Sequence, residues 1–343
     1  MTRRVLVARL DSAGDVLVSG PAVRAVSRDA SVVMLVGPQG RAAAELLPGV
    51  GEVLVWNSPW ITDPAPPATP DHVAELVEMV RRARVDESVI LTSFHQSPLP
   101  LALVLRLAGV ARISGASTDY AGSLLDVRLR PGTDLPEDIP EPLRALAIAR
   151  SAGWDSDDSR LAVTGARVPE GLPSNEAFVV LHPGANVEAR RAPASLFADA
   201  ARMLDARGWG IVVTGSADER PLTAEVADAA PRAIDLGGRL DLASLAGTIA
   251  RAAAIVVGNT GPAHLAAAVD TPVVSLFSPV VSAVRWAPHG VPRVMLGDPD
   301  APCRDTRARE CPVAGHPCLS RISPESIADA VEELARQPER VVA

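Results

Sequence analysis

The run from Val256 to Ala268 constrains the fold of this chain most, because an apolar strand turns through small residues into a helix that opens with proline. Gly258 and Gly261 let the main chain approach a ligand, and Pro262 lacks the N–H that the first helical turn cannot satisfy. The N–H groups and dipole of such a helix start favour an anion. The segment therefore predicts either a diphosphate site or an ordinary strand-to-helix turn of an α/β protein.

Length, composition and charge narrow the class of protein. At 343 residues the chain exceeds one typical core, so we expect two domains. Hydrophobic residues make up 48% of the chain, which excludes a disordered composition. A net charge of −8 argues against a nucleic-acid partner. All 33 basic residues are arginine, so an arginine where other proteins have lysine says little about chemistry.

Neither an export signal nor a membrane span is expected. Arg9 and Asp11 interrupt the first apolar run, and Arg106 breaks the apolar run that starts at Leu99. We therefore expect a cytoplasmic protein whose three cysteines are reduced thiols.

Short β-branched runs alternate with helical stretches in two similar series, which predicts two doubly wound parallel sheets. The predicted strands of the first series are 4–10, 31–36, 51–56 and 88–92, with helices at 16–27, 72–84 and 143–153. Those of the second are 177–182, 210–214, 233–236, 254–257 and 272–277. A Pro/Gly-rich break at 168–175 separates them. We expect domains at 1–170 and 175–322, with a closing segment, 323–343, whose helix packs back toward the first domain.

The loop after the first strand carries the candidate chemistry of the first domain. It lacks the G-x-G-x-x-G spacing of a dinucleotide site, which counts against an NAD enzyme. Asp15, beside Gly14, is either a helix cap or a carboxylate that can act as a general base. Asp11 is a competing candidate, although a turn hydrogen bond also explains it. Arg9 and His95 are weaker candidates for contact with an acceptor.

Loops of the second domain carry candidate anion contacts. Arg190 and Arg191 stand before a proline-started helix, where they form either a phosphate clamp or a solvated basic pair. Glu219, in an acidic loop after the second strand of this series, is a candidate ribose ligand. Thr260 or Asn259 can cap the helix that follows the diphosphate turn, and a histidine about one turn in can add a donor.

Taken in order, these motifs resemble glycosyltransferase family 9, the ADP-heptose heptosyltransferases and their relatives, over nearly the whole chain. The matching motifs are R-V-L-V-A-R-L-x-S-x-G-D-V-L at the start, H-P-G-A at 182–185, R-R-x-P at 190–193 and G-N-T-G-P-A-H-L-A-A-A-V from 258. The resemblance implies a GT-B fold, with acceptor binding in the first domain, nucleotide-sugar binding in the second and the site between them. It also implies inverting transfer from ADP-heptose to an acceptor hydroxyl, with no cofactor and no essential metal.

The same resemblance implies roles for individual residues. Asp15 matches the catalytic aspartate, Arg190 a phosphate-binding lysine and Glu219 the ribose ligand, and the residues matching the diphosphate turn are Thr260, Gly261 and His264. Three positions depart from the family pattern, and one of them is Arg190, which stands in place of a lysine. Asn259 stands where many members have an aspartate that touches the sugar, and Ala192 replaces a common tryptophan. The sugar and base of the donor therefore stay open, and the acceptor is either a glycan or a small molecule.

Two questions remain open at this stage. Cys303, Cys311 and Cys318 with His316 form either a Cys₃His zinc site or a packed loop with free thiols, and the loose spacing favours the loop. The rivals to a transferase are a nucleotide-sugar epimerase or hydrolase on the same fold and a non-catalytic sugar-nucleotide-binding relative.

Overall fold

A computed structural model describes residues 3–173 and 176–336. The chain divides into two compact units, Met1–Thr164 and Gly165–Ala343. The division lies shortly before the Pro/Gly-rich break at 168–175 and a few residues before the predicted end of the first domain at 170. The predicted start of the second domain, at 175, lies outside the described residues.

The first unit is a six-stranded parallel sheet covered by helices. Its strands are β1 (Arg4–Arg9), β2 (Ser31–Val36), β3 (Val50–Val55), β4 (Glu87–Ile90), β5 (Arg112–Ala116) and β6 (Val127–Leu129). Its helices are α1 (Ala13–Val18), α2 (Gly20–Ser27), α3 (Arg41–Leu46), α4 (Pro70–Ala83), α5 (Leu99–Ala108) and α6 (Glu141–Ser151). The strands pair in the order β3-β2-β1-β4-β5-β6. β1 and β2 are almost wholly buried, as expected for parallel strands with both faces covered.

One predicted helix of the first unit is wrong in a way that matters for the site. The sequence predicts a single helix over 16–27, but α1 begins at Ala13 and ends at Val18, and α2 begins at Gly20. Pro21, in the first turn of α2, has no N–H to continue the ladder of α1, so the chain restarts there. The earlier start places Asp15 inside a helix rather than at its boundary.

The second unit repeats the architecture. Its strands are β7 (Phe178–His182), β8 (Gly210–Val213), β9 (Ile234–Asp235), β10 (Ala254–Gly258), β11 (Val273–Leu276) and β12 (Arg293–Leu296). Its helices are α7 (Ala194–Ala206), α8 (Arg220–Asp228), α9 (Leu242–Arg251), α10 (Gly261–Ala268), α11 (Ala283–Trp286), α12 (Pro317–Ser320) and α13 (Pro324–Arg336). The parallel strands pair in the order β12-β11-β10-β7-β8-β9.

Both sheets therefore have the Rossmann strand order, and the predicted α/β class with two doubly wound sheets is confirmed. In each sheet the order reverses between the first and fourth strands, which are β1 and β4 in one unit and β7 and β10 in the other. Ligands of such sheets bind beyond the carboxyl ends of the strands at this reversal. The loops after these four strands are accordingly where a site is expected.

The closing helix α13 packs within the second unit. Ile327 and Val331 are fully buried in the same hydrophobic core as residues of α7 and β10. Contact of the closing segment with the first domain stays a prediction, and residues 337–343 lie outside the described residues. Among the described helices, none combines the length and apolarity that crossing a bilayer requires.

Candidate functional site

Asp15 lies in the first turn of α1 and makes contacts on both carboxylate oxygens. Its Oδ2 accepts hydrogen bonds from the hydroxyl of Ser12 at 2.6 Å and from the Ser12 backbone N–H at 3.3 Å, and the bond from the backbone N–H is one half of a capping box. Its Oδ1 accepts from Nη2 of Arg9 at 2.8 Å. Asp15 is therefore the third residue of a capping box, in which Ser12 and not Asp15 occupies the N-cap position. Because 17% of the Asp15 side chain is exposed, this carboxylate is also within reach of solvent.

Arg9, the last residue of β1, has only 1% of its side chain exposed, and its guanidinium holds several oxygens at once. Nη2 also donates to the hydroxyl of Ser93 at 2.7 Å, and Nε lies 2.8 Å from Oδ2 of Asp11. Nη1 lies 3.6 Å from Oε2 of Glu141, which is equally buried. Burial alone would lower the pKa of Arg9, but Asp11, Asp15 and Glu141 outweigh it and raise the pKa. We call Arg9, Asp11, Asp15 and Glu141 the arginine cluster.

Burial raises the pKa of the Asp11 carboxyl, opposed by Arg9 and reinforced by Asp15. Burial likewise raises the pKa of Glu141, whose charge is opposed by Arg9 and Arg144. The nearby negative charges add to both shifts. The carboxyl groups of Asp11 and Glu141 therefore hold protons more tightly than exposed carboxyl groups do.

Several members of this environment were not predicted from sequence, namely Ser93, Gln96, Glu141 and Arg144. The amide of Gln96 donates to Asp11, and Arg144 donates to the carbonyl oxygen of Thr92. One signal was available: Glu141 and Arg144 stand one turn apart on the buried side of α6. The predicted residue His95 lies in the same loop as Ser93, with its ring 5.2 Å from that of Phe94.

In the second unit, β10 leads into the turn that the sequence analysis emphasised. Thr260 is the residue before α10, but its hydroxyl lies 3.5 Å from the carbonyl oxygen of Gly258 and does not cap the helix. A Cβ on Gly258 would come within 2.9 Å of the carbonyl oxygen of Arg190, so the turn and the Arg190 loop are packed backbone against backbone. Thr260 thus occupies the predicted N-cap position of α10, but no side chain among the described residues makes a capping hydrogen bond there.

Asn259 has a different role from capping. Its side-chain amide donates to the carbonyl oxygen of Ser278 at 3.3 Å, and its Oδ1 accepts from the Ser278 N–H at the same distance. The pair ties the turn after β10 to the loop after β11, and 6% of Asn259 is exposed. Only a group with both a donor and an acceptor can satisfy both atoms of Ser278, so an amide fits here and a carboxylate does not.

The loops after β7 and β8 also meet closely. Glu219 accepts from the Ser216 N–H at 2.8 Å in a second capping box, and a Cβ on Gly184 would lie 2.1 Å from its Oε1. His182, which the sequence analysis did not assign, has Nδ1 2.9 Å from the hydroxyl of Thr214. Burial lowers the pKa of His182 to about 4, against the opposing charge of Glu219, so its imidazole is neutral at pH 7.

The remaining predicted donor residues lie on elements next to this turn. Arg190 ends a 3₁₀ turn, Glu188–Arg190, after β7, with its Nε buried. Arg191 is exposed and donates to the carbonyl oxygen of Ala185. His264 lies in the first half of α10, 7% exposed, with its ring centroid 6.3 Å from that of Trp286. The strand order brings these loops to the same edge of the second sheet.

The cysteine loop gives little support to a metal site. Cys303 and Cys318 are buried, and the Cys311 thiol donates to the carbonyl oxygen of Val313. Burial, with smaller contributions from Cys303 and Cys311, raises the pKa of Cys318 to about 11. Within residues 3–173 and 176–336, no three histidine, cysteine or acidic side chains are grouped as metal ligands.

These features define a class of protein. Two α/β units of Rossmann strand order occur in one chain, with a carboxylate cluster at the strand ends of one and an anion-favouring helix start at those of the other. This is the architecture of the GT-B class.

The chain belongs to glycosyltransferase family 9 (heptosyltransferase), whose sequence profile matches residues 145–316. It is 32% identical over 185 residues to lipopolysaccharide heptosyltransferase 1 of Pseudomonas aeruginosa, covering 49% of this chain and 50% of the relative. The chain thus spans about half the length of this curated relative.

Two solved structures are similar over almost the whole chain. ADP-heptose lipopolysaccharide heptosyltransferase II of Escherichia coli has a TM-score of 0.73 at 21% identity, covering 97% of this chain and 98% of that one. The heptosyltransferase WaaC of the same organism, solved with ADP, has a TM-score of 0.71 at 16% identity, with coverage of 96% and 99%. At these identities the structures establish the fold.

Proposed function

We propose that this protein is an inverting glycosyltransferase that moves a heptose from ADP-heptose to a hydroxyl of a cell-envelope glycan. The observation that carries the proposal is the turn at Thr260 and Gly261, which opens α10 beside the Arg190 loop at the strand-order reversal. Family membership and the names of the similar proteins support heptose, ADP and a lipopolysaccharide-type acceptor. Three cysteines without a disulfide fit the cytoplasmic location that we also propose.

In the proposed reaction Asp15 is the general base. The acceptor oxygen attacks the anomeric carbon on the face opposite ADP and loses its proton to the Asp15 carboxylate, while the bond from that carbon to the diphosphate oxygen breaks. Attack from the opposite face inverts the anomeric configuration. The partial exposure of Asp15 supports this role, because a buried carboxylate could not meet an acceptor.

The departing diphosphate needs positive charge and N–H donors that are already in place. We assign these to Arg190, to the backbone at Thr260 and Gly261, and to His264, with Arg191 at the margin. Glu219 would hold the ribose hydroxyls, and Gly184 supports that assignment because it leaves room for the carboxylate against the backbone. Asn259 would act on the sugar through the shape of the turn, since its amide is bonded to Ser278.

The experiment that tests the proposal is ADP release from ADP-heptose, measured with and without a heptose-deficient lipopolysaccharide acceptor. We expect release that depends on the acceptor. Release at the same rate without acceptor would favour a hydrolase or epimerase, and no release despite donor binding would favour the non-catalytic alternative. A thermal-shift panel of ADP, UDP and GDP identifies the base, because a nucleotide present at 100 times its Kd stabilises the fold by about 2.7 kcal/mol.

A further inference from the structure

The arginine cluster contains more charge than a general base needs. A single arginine beside a catalytic carboxylate would stabilise its ionised form and weaken it as a base. In this protein the guanidinium of Arg9 forms ion pairs with three carboxyl groups, those of Asp15, Asp11 and Glu141. Ser93 takes one more of its N–H bonds. With 1% of its side chain exposed, Arg9 has little surface left for an acceptor.

Resting on the proposed role of Asp15, we propose that Arg9 is the positioning residue of that base and that Glu141 offsets the charge Arg9 imposes on it. The contact of Nη2 with Oδ1 fixes one side of the Asp15 carboxylate, while Ser12 holds the other. Two fixed oxygens leave the carboxylate one orientation toward an incoming hydroxyl. Preorganisation of this kind lowers the barrier by removing motions that the reaction would otherwise have to restrict.

Glu141 has the properties of a charge partner and not of a substrate contact. Its side chain is 1% exposed, and among the described residues its Oε1 accepts no hydrogen bond. Leaving a buried carboxyl oxygen unbonded costs free energy, so stability alone does not account for this residue. Its position in the first turn of α6 favours its ionised form through the helix dipole.

The surrounding charges limit how far Arg9 can act on Asp15. Facing the cluster are Asp11 and Asp15 from the β1–α1 segment, Glu141 and Arg144 from α6, and the neutral side chains of Ser93 and Gln96 from the loop after β4. Arg144 is turned toward the carbonyl oxygen of Thr92, and its Nε lies 3.9 Å from Glu137. Three carboxyl groups therefore share the guanidinium of Arg9, and the excess of negative charge preserves the basicity of Asp15.

The test compares Arg9→Met, Arg9→Lys and Glu141→Gln in the full-length protein. Two readouts are used: the pH dependence of turnover, and carboxyl ¹³C NMR titration of Asp15 in the free protein. We expect Arg9→Met to shift the acid limb of the pH–turnover profile to higher pH by about one to three units, and to raise the pKa of Asp15 in the NMR titration by the same amount. Glu141→Gln should move both downward by up to about one unit. Arg9→Lys should keep the limb near its normal pH but lower turnover, because lysine retains the charge without the guanidinium fork.

Arg106→Met is the matched control, since Arg106 pairs with Asp126 in the same unit outside the cluster. It should leave the acid limb in place. If the Asp15 titration does not move in Glu141→Gln, an isosteric variant that is expected to fold, the charge-balancing role is overturned even if Arg9→Met fails to fold. An unmoved titration in a folded Arg9→Met overturns the action of Arg9. Because NMR titration needs no turnover, these outcomes stay distinct from failure of Asp15 as the base.

Discussion

The two candidate regions differ in the groups that form them: mainly charged side chains in the first unit, and largely backbone groups in the second. In the first unit, a buried guanidinium and three carboxyl groups hold one another at distances of 2.8–3.6 Å. In the second, glycine backbone and a helix start meet the Arg190 loop after β10, and the neutral His182 ends the adjacent strand β7. Charged side chains fix a direction, whereas backbone atoms allow close approach and supply fixed dipoles. The contrast fits a region that orients one reacting group and a region that receives a large anion.

The two regions should also respond to acid in opposite ways. Carboxyl groups with a raised pKa bind protons at a higher pH in the folded state than in the unfolded chain. Acidification therefore increases the stability of the folded first region. A histidine with a lowered pKa stays neutral in the folded state while the same histidine in the unfolded chain binds a proton. Acidification therefore decreases the stability of the folded second region.

The largest effect is expected from Asp15→Asn. Removal of the base should reduce turnover about 10²- to 10⁴-fold with little change in donor affinity. Asparagine cannot accept on both sides as Asp15 does from Arg9 and Ser12, so we also expect a stability loss of about 1 kcal/mol. Turnover, ADP-heptose affinity and Tm are the measurements.

Ser12→Ala is the control for this variant, because it removes the capping hydroxyl and keeps the carboxylate. It should lose a similar amount of stability, about 1 kcal/mol, and far less turnover. Near-normal turnover in Asp15→Asn would leave Asp15 as a helix cap alone and would end the functional contrast between the two regions.

His182→Asn should remove much of the acid sensitivity of the second unit. The pKa of His182 is about 4 in the folded protein, so its contribution to stability is fully present above its unfolded pKa of about 6.5. It is lost as pH falls from about 6.5 toward 4, by a total on the order of 3 kcal/mol. Hydrogen-exchange mass spectrometry between pH 4 and 7 measures this for each unit separately.

The control is His72→Asn, a half-buried histidine of α4 in the first unit. This variant should keep the acid sensitivity of the second unit. Equal acid sensitivity of the second unit in wild type and His182→Asn would show that another group is responsible.

Gly184→Ala tests the close approach in the second region. The new Cβ would overlap the Glu219 carboxylate, which can swing away because it is the end of a flexible side chain. We expect a small stability loss of about 1 kcal/mol from the broken cap and a donor affinity weakened by about 1.5–3 kcal/mol. Donor titration should give nearly the same value for Gly184→Ala, Glu219→Ala and the double variant.

Gly115→Ala, whose added Cβ would meet its nearest atom at 3.4 Å, is the matched control. Donor affinity should not change in it. Additive losses from Gly184→Ala and Glu219→Ala would separate the glycine from the carboxylate and contradict the proposed ribose contact.

Sequence reasoning predicted the sheets better than the site, for physical reasons. The buried central strands are short apolar runs rich in β-branched residues, so their positions follow from the sequence. The short strands β5, β6 and β12 were missed because three to five residues carry little periodicity. Asp15 could be singled out because it stands next to the first strand in the chain.

The distant partners of Arg9, the arginine that contacts Asp15, could not be predicted from local pattern. Ser93 accepts a hydrogen bond from Nη2 of Arg9, the nitrogen that also donates to Asp15, and lies 84 positions from Arg9 in the sequence. Glu141 comes from α6, which is still further along the chain. Such contacts depend on how β1, β4 and α6 come together, which a residue pattern along one segment does not contain. The bonding of Asn259 to Ser278 was missed for the same reason, although both residues follow adjacent strands.

The smallest effect is expected from Asn259→Asp, which asks whether the second region tolerates the carboxylate that the family resemblance implies at this position. One oxygen of the aspartate can still accept from the Ser278 N–H, but the other would face the Ser278 carbonyl oxygen in place of a donor. We expect a stability loss of about 1 kcal/mol, the net value of one hydrogen bond, and a larger loss at pH 7 than at pH 4, where the carboxyl becomes protonated and donates. Unfolding curves at both pH values measure it, with Asn259→Ala as the variant that loses both bonds. If Asn259→Asp is instead as stable as wild type and faster with ADP-heptose, the amide is a matter of sugar choice, and the turn does not depend on its bond to Ser278.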